Sequence, residues 1–383
     1  MKKRRILLIV MSFVLVFSTV TLMTACGGGG GGGEDPPAQT QTPEPPEKES
    51  NIDELAEVVG GDEGAGKAAE GAKFLWYQAG AHPFFDEMWK GVQAFEKEYG
   101  VDVMHGVGTD WTQGEEDQLI HAWAADGYNA MSIFPADPGG ANGLYSELVG
   151  QGVSVVNFGA TTNMPTDASF YCGTDIPNCV DQAANALVDV MEAGGVTGGK
   201  VLLAIGALGD LNAQKCKESA EAVFAARGVE VLEVVSDMSQ PDVAQKKMGD
   251  AIAAHLSDLD GILSTDTNPT DGTIPVLREI YEKDPGQSHI FFIGRDTNQI
   301  CLEAIKDGTI DGTSSQNAFH MGYSPMVLLN YLKLGWTPKA DAYFQYGAHM
   351  IVNNSNVDSF NQELIDLTMT WVESLEKDVL DPP

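Results

Sequence analysis

Residues 73–100 read KFLWYQAGAHPFFDEMWKGVQAFEKEYG. Residues 74–77 are apolar with no alternation, the chain turns through Gly80 to Pro83, and apolar residues then recur at helical spacing over 84–99. A strand apolar on both faces followed at once by an amphipathic helix is the unit of a parallel sheet covered on both sides. The unit repeats. VDVMHG precedes a helix over 113–125, AMSIF a helix over 139–149, and VSVVNF follows. After a helix over 175–191 the alternation begins again. KVLLAIG leads to 212–226, VEVLEVV to 243–256, GILSTD to 270–282 and IFFIG to 298–307. Two such runs predict an α/β protein of two doubly wound parallel-sheet lobes.

Ligands of doubly wound sheets bind at the carboxyl ends of the strands. In this chain those connections carry Gln78, His82, Phe84, Phe85, Trp111, Asp137, Asn212, Asp266 and Asp296. From about Lys73 onward the chain resembles the sugar-binding type I periplasmic binding proteins, the ribose-binding group of transporter receptors. The resemblance rests on several motifs in order. Pro83-Phe84-Phe85 matches an aromatic pair after the first strand, and FYCGTD a first crossing between lobes. LNAQKCKESAEAVF matches an Asn-Ala-led helix, FFIGRDTN a strand ending in Gly-x-Asp, and GTSSQNAFHMG a second crossing bearing Gln316.

The resemblance implies the type I periplasmic binding protein fold, its lobes joined by crossover hinge strands. It implies a sugar or polyol between the lobes, with no cofactor, no metal and no catalysis. Rings pack on the C–H faces of such a ligand, and buried apolar area is worth about 25 cal/mol per Å². Its hydroxyls need partners, since an unmet buried polar group costs about 1–3 kcal/mol. Phe84 and Phe85 then supply one wall, Asp296 and Gln316 clamp hydroxyls, and Gln78, His82, Trp111, Asp137, Asn212 and Asp266 complete the set. A second reading of the same residues stays open: the Phe pair as a staple at a helix start, and Asp266 and Asp296 as helix caps. The pattern also departs from the ribose binders. Gly159 and Ala160 stand where an Asp-Arg clamp is expected, Cys216 stands where the second-lobe helix has Arg, and His82 replaces Asn. Trp76, Asn157 and Arg295 are further candidates to replace the missing groups.

The ends add an address. Met-Lys-Lys-Arg-Arg and the apolar run over 6–23 have the form of a secretory signal. Leu22-Met23-Thr24-Ala25-Cys26 resembles a bacterial lipobox, which makes Cys26 the lipidated first residue after cleavage at 25. Residues 26–70 are rich in Gly, Pro and Glu and predict a disordered tether. The lobes are expected over 71–173 with 317–347 returning, and over 174–316 with 348–383 returning. The expected location is the outer face of the cell membrane, or a periplasm where there is an outer membrane.

Formal net charge is −33, and the first 25 residues hold four of the positive charges, so nucleic acid is excluded as a partner. Cys172, Cys179, Cys216 and Cys301 show no zinc spacing, and Cys172 could pair with Cys179 outside the cell. GGVTGGKV imitates a phosphate loop but lacks the terminal Ser or Thr and precedes a strand. The expected partners are a permease with its ATPase, and the expected state is a monomer. A sensor that presents a furanose or sugar to a membrane kinase or chemoreceptor is the rival, followed by a surface carbohydrate-active enzyme.

Overall fold

The computed structural model describes residues 67–383 except 209, 210 and 239. The signal, the lipobox with Cys26 and the tether up to residue 66 lie outside the described residues.

The first lobe is built from β1 (Phe74–Gln78), α1 (Pro83–Tyr99), β2 (Val103–Val107), α2 (Gln113–Ala125), β3 (Ala130–Ile133), α3 (Ala141–Gly150), β4 (Ser154–Phe158) and β5 (Phe170–Gly173). The chain passes into the second lobe through α4 (Ile176–Ala193) and continues as β6 (Lys200–Ala204), α5 (Leu211–Arg227), β7 (Glu230–Val235) and α6 (Pro241–His255). Then come β8 (Gly261–Ser264), α7 (Thr267–Lys283), β9 (Phe291–Arg295), α8 (Gln299–Lys306) and β10 (Gly312–Ser315). The remainder is α9 (Ala318–Lys333), β11 (Thr337–Pro338), β12 (Phe344–Tyr346), β13 (Met350–Val352), α10 (Phe360–Asp378) and β14 (Leu380–Asp381).

The first sheet has the order β12-β5-β4-β3-β1-β2 and is parallel throughout. The second has the order β13-β10-β9-β8-β6-β7, parallel except for β13. Each sheet is covered on both faces. In the first lobe, Phe74 and Trp76 face the α1 and α9 side, while Leu75 and Tyr77 face α2 and α3. Phe85, Met88, Val92 and Phe95 recur at three- and four-residue spacing on α1 and are all buried, which fixes that helix on the sheet. α1 and α9 touch through glycine: a Cβ at Gly322 would lie 1.8 Å from the Met88 carbonyl oxygen. A side chain there would separate the two helices.

Three short crossings join the lobes, and all leave from strand carboxyl ends. Residues 174–175 lead from β5 to the first turn of α4, and 316–317 lead from β10 to α9. Residues 347–349 lead from β12 to β13, whose Met350 pairs with Ser315 at the end of β10. The Gly347 amide donates to the Gly173 carbonyl at 2.8 Å, which ties the first and third crossings together. The carboxyl edges of both sheets therefore border one interlobe cleft.

Two sequence-based boundaries change. The tether reading extends to 70, but the buried Asn330 side chain accepts the Ala69 amide at 2.8 Å and donates to the Lys67 carbonyl at 3.0 Å. Residues 67–70 are thus held on α9. The stretch 348–383, expected in the second lobe, is divided. Val352, Val357, Phe360 and Leu364 enter the second lobe's core, whereas Ile365, Leu375, Val379 and Leu380 pack with that of the first. One face of the long α10 cannot be satisfied by either lobe alone. Cys172 and Cys179, read as a possible pair, are both free buried thiols.

Candidate functional site

Five aromatic side chains converge where the first sheet ends. Phe85 stacks on Trp111 with centroids 5.8 Å apart and meets Phe134, Trp76 and Phe158 edge to face at 5.1, 6.1 and 6.2 Å. Trp111 in turn meets Phe134 edge to face at 5.8 Å. The sequence puts Phe84 and Phe85 together as one wall, and the structure separates them. Phe85 is only 3% exposed, its ring enclosed by its neighbours, and Phe84 is half-buried against the core under α1. Trp111, 43% exposed, is the ring of the group with an open face. Its seat depends on Gly80, where a Cβ would fall 1.8 Å from the indole Nε1. Its backbone is left-handed at φ 52°, a conformation that costs a non-glycine residue about 1–3 kcal/mol and collects at functional sites.

The second sheet presents polar groups. Asp296 follows β9 with φ 64° and accepts from Gln316 Nε2 at 3.0 Å and from the Thr267 hydroxyl. Arg295 Nε stands 3.6 Å from its carboxylate. Asp296 is not a helix cap, because Asn298 caps α8. Asp266 does cap α7, accepting the Asn268 amide at 3.3 Å. Burial raises its carboxyl above the ordinary range, and the Asp296 charge adds to this while Arg295 opposes it. Gly206 leaves room for it, since a Cβ there would meet Asp266 Oδ2 at 2.4 Å.

Arg295 is buried, and its Nη1 donates to Cys179 Sγ at 3.1 Å. Burial disfavours its charge, but Cys179, Asp296 and Cys216 more than offset this and hold it above its ordinary value. The guanidinium that the resemblance places on α5 at Cys216 thus enters the same region from β9. At Gly159, where a carboxylate is absent, a Cβ would lie 3.0 Å from the Phe134 ring. An aromatic edge occupies the neighbourhood of the missing clamp.

The other expected residues are scattered among structural tasks. Gln78 is 3% exposed; its Nε2 donates to the Gly80 carbonyl at 2.8 Å and its Oε1 pairs with His105 at 2.9 Å. Its amide is turned into the strand end, not into the cleft. His82 is exposed and caps α1, Nδ1 accepting the Phe84 amide at 3.1 Å. Asp137 is exposed and accepts the amides of Gly139 and Gly140 within its own loop. Asn212 is exposed in the first turn of α5. Trp76 and Asn157 are fully buried, Asn157 donating to Thr162 and Tyr343 on the α2–α3 side of the sheet. Phe134, Phe158 and Thr267 were not singled out in the sequence. The first two end apolar runs and read as strand interior, although a large ring at the last position of a strand is the available signal.

Among the described residues no group of three or more His, Cys, Asp or Glu is arranged to hold a metal ion. A groove of about 620 Å³ lined by Asp242, Lys246, Glu279 and Lys283 lies on the outer side of α6 and α7, away from these groups.

Comparison with known proteins agrees with this architecture. The family model described as periplasmic binding protein domain matches residues 73–335. No curated protein matches the chain. Among solved structures, a sugar-binding protein of a sugar ABC transporter from Bacillus halodurans shares 20% identity over 75% of this chain and 98% of its own, with a TM-score of 0.65. A periplasmic ribose ABC transporter protein from Conexibacter woesei shares 22% identity over 79% of this chain and 97% of its own, TM-score 0.65. An arabinose-binding protein from Geobacillus stearothermophilus shares 20% over 76% and 99%, TM-score 0.64.

Proposed function

Because the chain belongs to the periplasmic binding protein domain family, we propose that it captures a sugar or polyol between its lobes and delivers it to the permease and ATPase of an ABC transporter. One observation carries this reading: an open indole face at the end of the first sheet and a carboxylate–amide pair, Asp296 and Gln316, at the end of the second. A ring face suits the C–H surface of a sugar. A carboxylate suits adjacent hydroxyls because it accepts without donating. The solved relatives whose names specify ribose or arabinose support the same class. Ligand contacts made by both lobes at once stabilise the closed form by their difference between states, and the three crossings serve as hinges.

The lipobox-like sequence ending in Cys26 supports attachment to the outer face of the membrane through a lipid, and the Gly- and Pro-rich segment after it supports a spacer. Among the described residues no helix is long and apolar enough to cross a membrane. The protein then acts as a monomer, with no cofactor. A thermal-shift screen over pentoses, hexoses, polyols and furanoses tests the reading. A rise in melting temperature with one sugar class is expected. No response to any of them, with a folded protein, overturns it.

A further inference from the structure

We propose that Glu115 and Glu116, adjacent in the first turn of α2, are positioning residues that set the aromatic wall, each carboxylate holding one of the two loops that carry its rings. Glu115 accepts the amides of Thr109 and Asp110 at 2.9 and 2.8 Å and the Thr109 hydroxyl at 2.6 Å. The two residues before Trp111 are therefore clamped, and Thr112 just after it caps the helix. Glu116 Oε2 accepts the Ala136 amide at 2.7 Å, two residues beyond Phe134, while Oε1 accepts Gln113 Nε2 at 3.1 Å. The same loop presses on Gln113, whose Cγ would lie 2.8 Å from a Cβ at Gly140. Trp111 and Phe134, which meet edge to face, thus depend on neighbouring residues of one helical turn. Three bonds to Glu115 also give a reason why Trp111 keeps its left-handed backbone.

The two carboxylates differ in setting. Glu115 is at the surface, and its bonds with Thr109 and Asp110 hold it below the ordinary range. Glu116 is fully buried. It faces Tyr77 on β1, Tyr145 on α3 and Asp137 in the β3–α3 loop, with Asp117 and Glu115 on its own helix. Burial raises it to about 7, the bonds with Ala136 and Gln113 oppose this, and Asp117 and Asp137 add to it. The hydroxyls of Tyr77 and Tyr145 are buried without a partner. A proton on Glu116 turns a charge-assisted bond to Ala136 into a weaker neutral one. The hold on the Phe134 loop therefore loosens as pH falls through neutrality.

The importance of this wall for ligand rests on the proposed function, but its geometry can be tested without ligand. In full-length protein labelled with 5-fluorotryptophan, the ¹⁹F signal of Trp111 is assigned by its loss in W111F. The wild-type signal is expected to move with a midpoint near the value of about 7 given by Glu116. In E116Q the Ala136 amide keeps only a neutral acceptor, so the signal is fixed near its low-pH position and stops titrating. In E115A the signal is displaced and broadened at every pH. Any response from the His105 ring, which pairs with Gln78, survives E116Q and is told apart in that way. An unchanged titration in E116Q, or an unmoved signal in E115A, overturns the proposal. A protein that titrates as described yet binds no sugar would instead refute the functional reading and leave this one standing.

Discussion

Asp296 is where the proposed ligand contact and a left-handed backbone meet, and two substitutions separate them. Asp296→Asn keeps a residue type that tolerates the left-handed backbone at φ 64°. Its side-chain oxygen can still accept one bond, but its NH₂ faces a second donor, since Gln316 Nε2 and the Thr267 hydroxyl both point to this group. Asp296→Gly removes every side-chain bond and relieves a left-handed cost of about 1 kcal/mol. Both remove the carboxylate beside the buried Arg295 at 3.6 Å, and breaking a buried pair costs up to about 3–5 kcal/mol. The glycine variant is therefore expected to melt above the asparagine variant, and both below wild type. Binding should follow a different order. Losing charge-assisted bonds to sugar hydroxyls costs about 1.5–3 kcal/mol, which weakens Kd roughly tenfold to a hundredfold. Glycine, with no acceptor left, should bind weakest. Calorimetric titration with the sugar found by thermal shift, at a temperature where circular dichroism shows all three proteins folded, measures one order; thermal melts measure the other. Affinity that merely tracks melting temperature would refute a direct role for Asp296.

Trp111→Ala should abolish tight binding while costing less stability than Phe85→Ala, because the indole is 43% exposed whereas Phe85 is enclosed; Gly80→Ala, which invades the indole's seat, should weaken binding in the same titration. Phe85→Ala should cost about 3–5 kcal/mol in chemical denaturation, the loss expected of an enclosed core ring; a loss under 1 kcal/mol would return Phe85 to the role of a free wall. For Glu116, the raised folded value means that the native state holds a proton which the unfolded chain gives up near pH 4.5. The carboxyl favours folding least above pH 7, where its ionisation costs about 3 kcal/mol relative to the acid form, and this cost fades as pH falls to the unfolded value. Glu116→Gln should therefore gain stability over wild type as pH rises from 4.5 to 7 and none below; equal denaturation profiles across that range would count against the burial argument.

The parallel-sheet units were legible because burial on both faces leaves continuous apolar runs, and helices such as α1 show their face through Phe85, Met88, Val92 and Phe95. The returning strands were not. β12 and β13 have three residues each, too short for any period, and Phe344 and Tyr346 stay exposed on β12. Asp296 and Gln316 could be named from motif and position, and they do bond to each other. Gln78 could not be judged from sequence, because its direction is decided by His105 on the neighbouring strand. Glu116 looked like an ordinary acidic residue of a first helical turn, where such residues favour the helix dipole. Only the packing of α2 against β1, the Ala136 loop and α3 reveals that it is enclosed.

The central claim is that a hydroxylated ligand is gripped between the Trp111 ring and the Asp296–Gln316 pair. The most direct test is a crystal structure of the protein with the sugar that stabilises it most. The sugar ring is expected on the open face of Trp111, with hydroxyls within about 3 Å of Asp296. A sugar bound elsewhere, with Trp111 and Asp296 both untouched, would contradict the account.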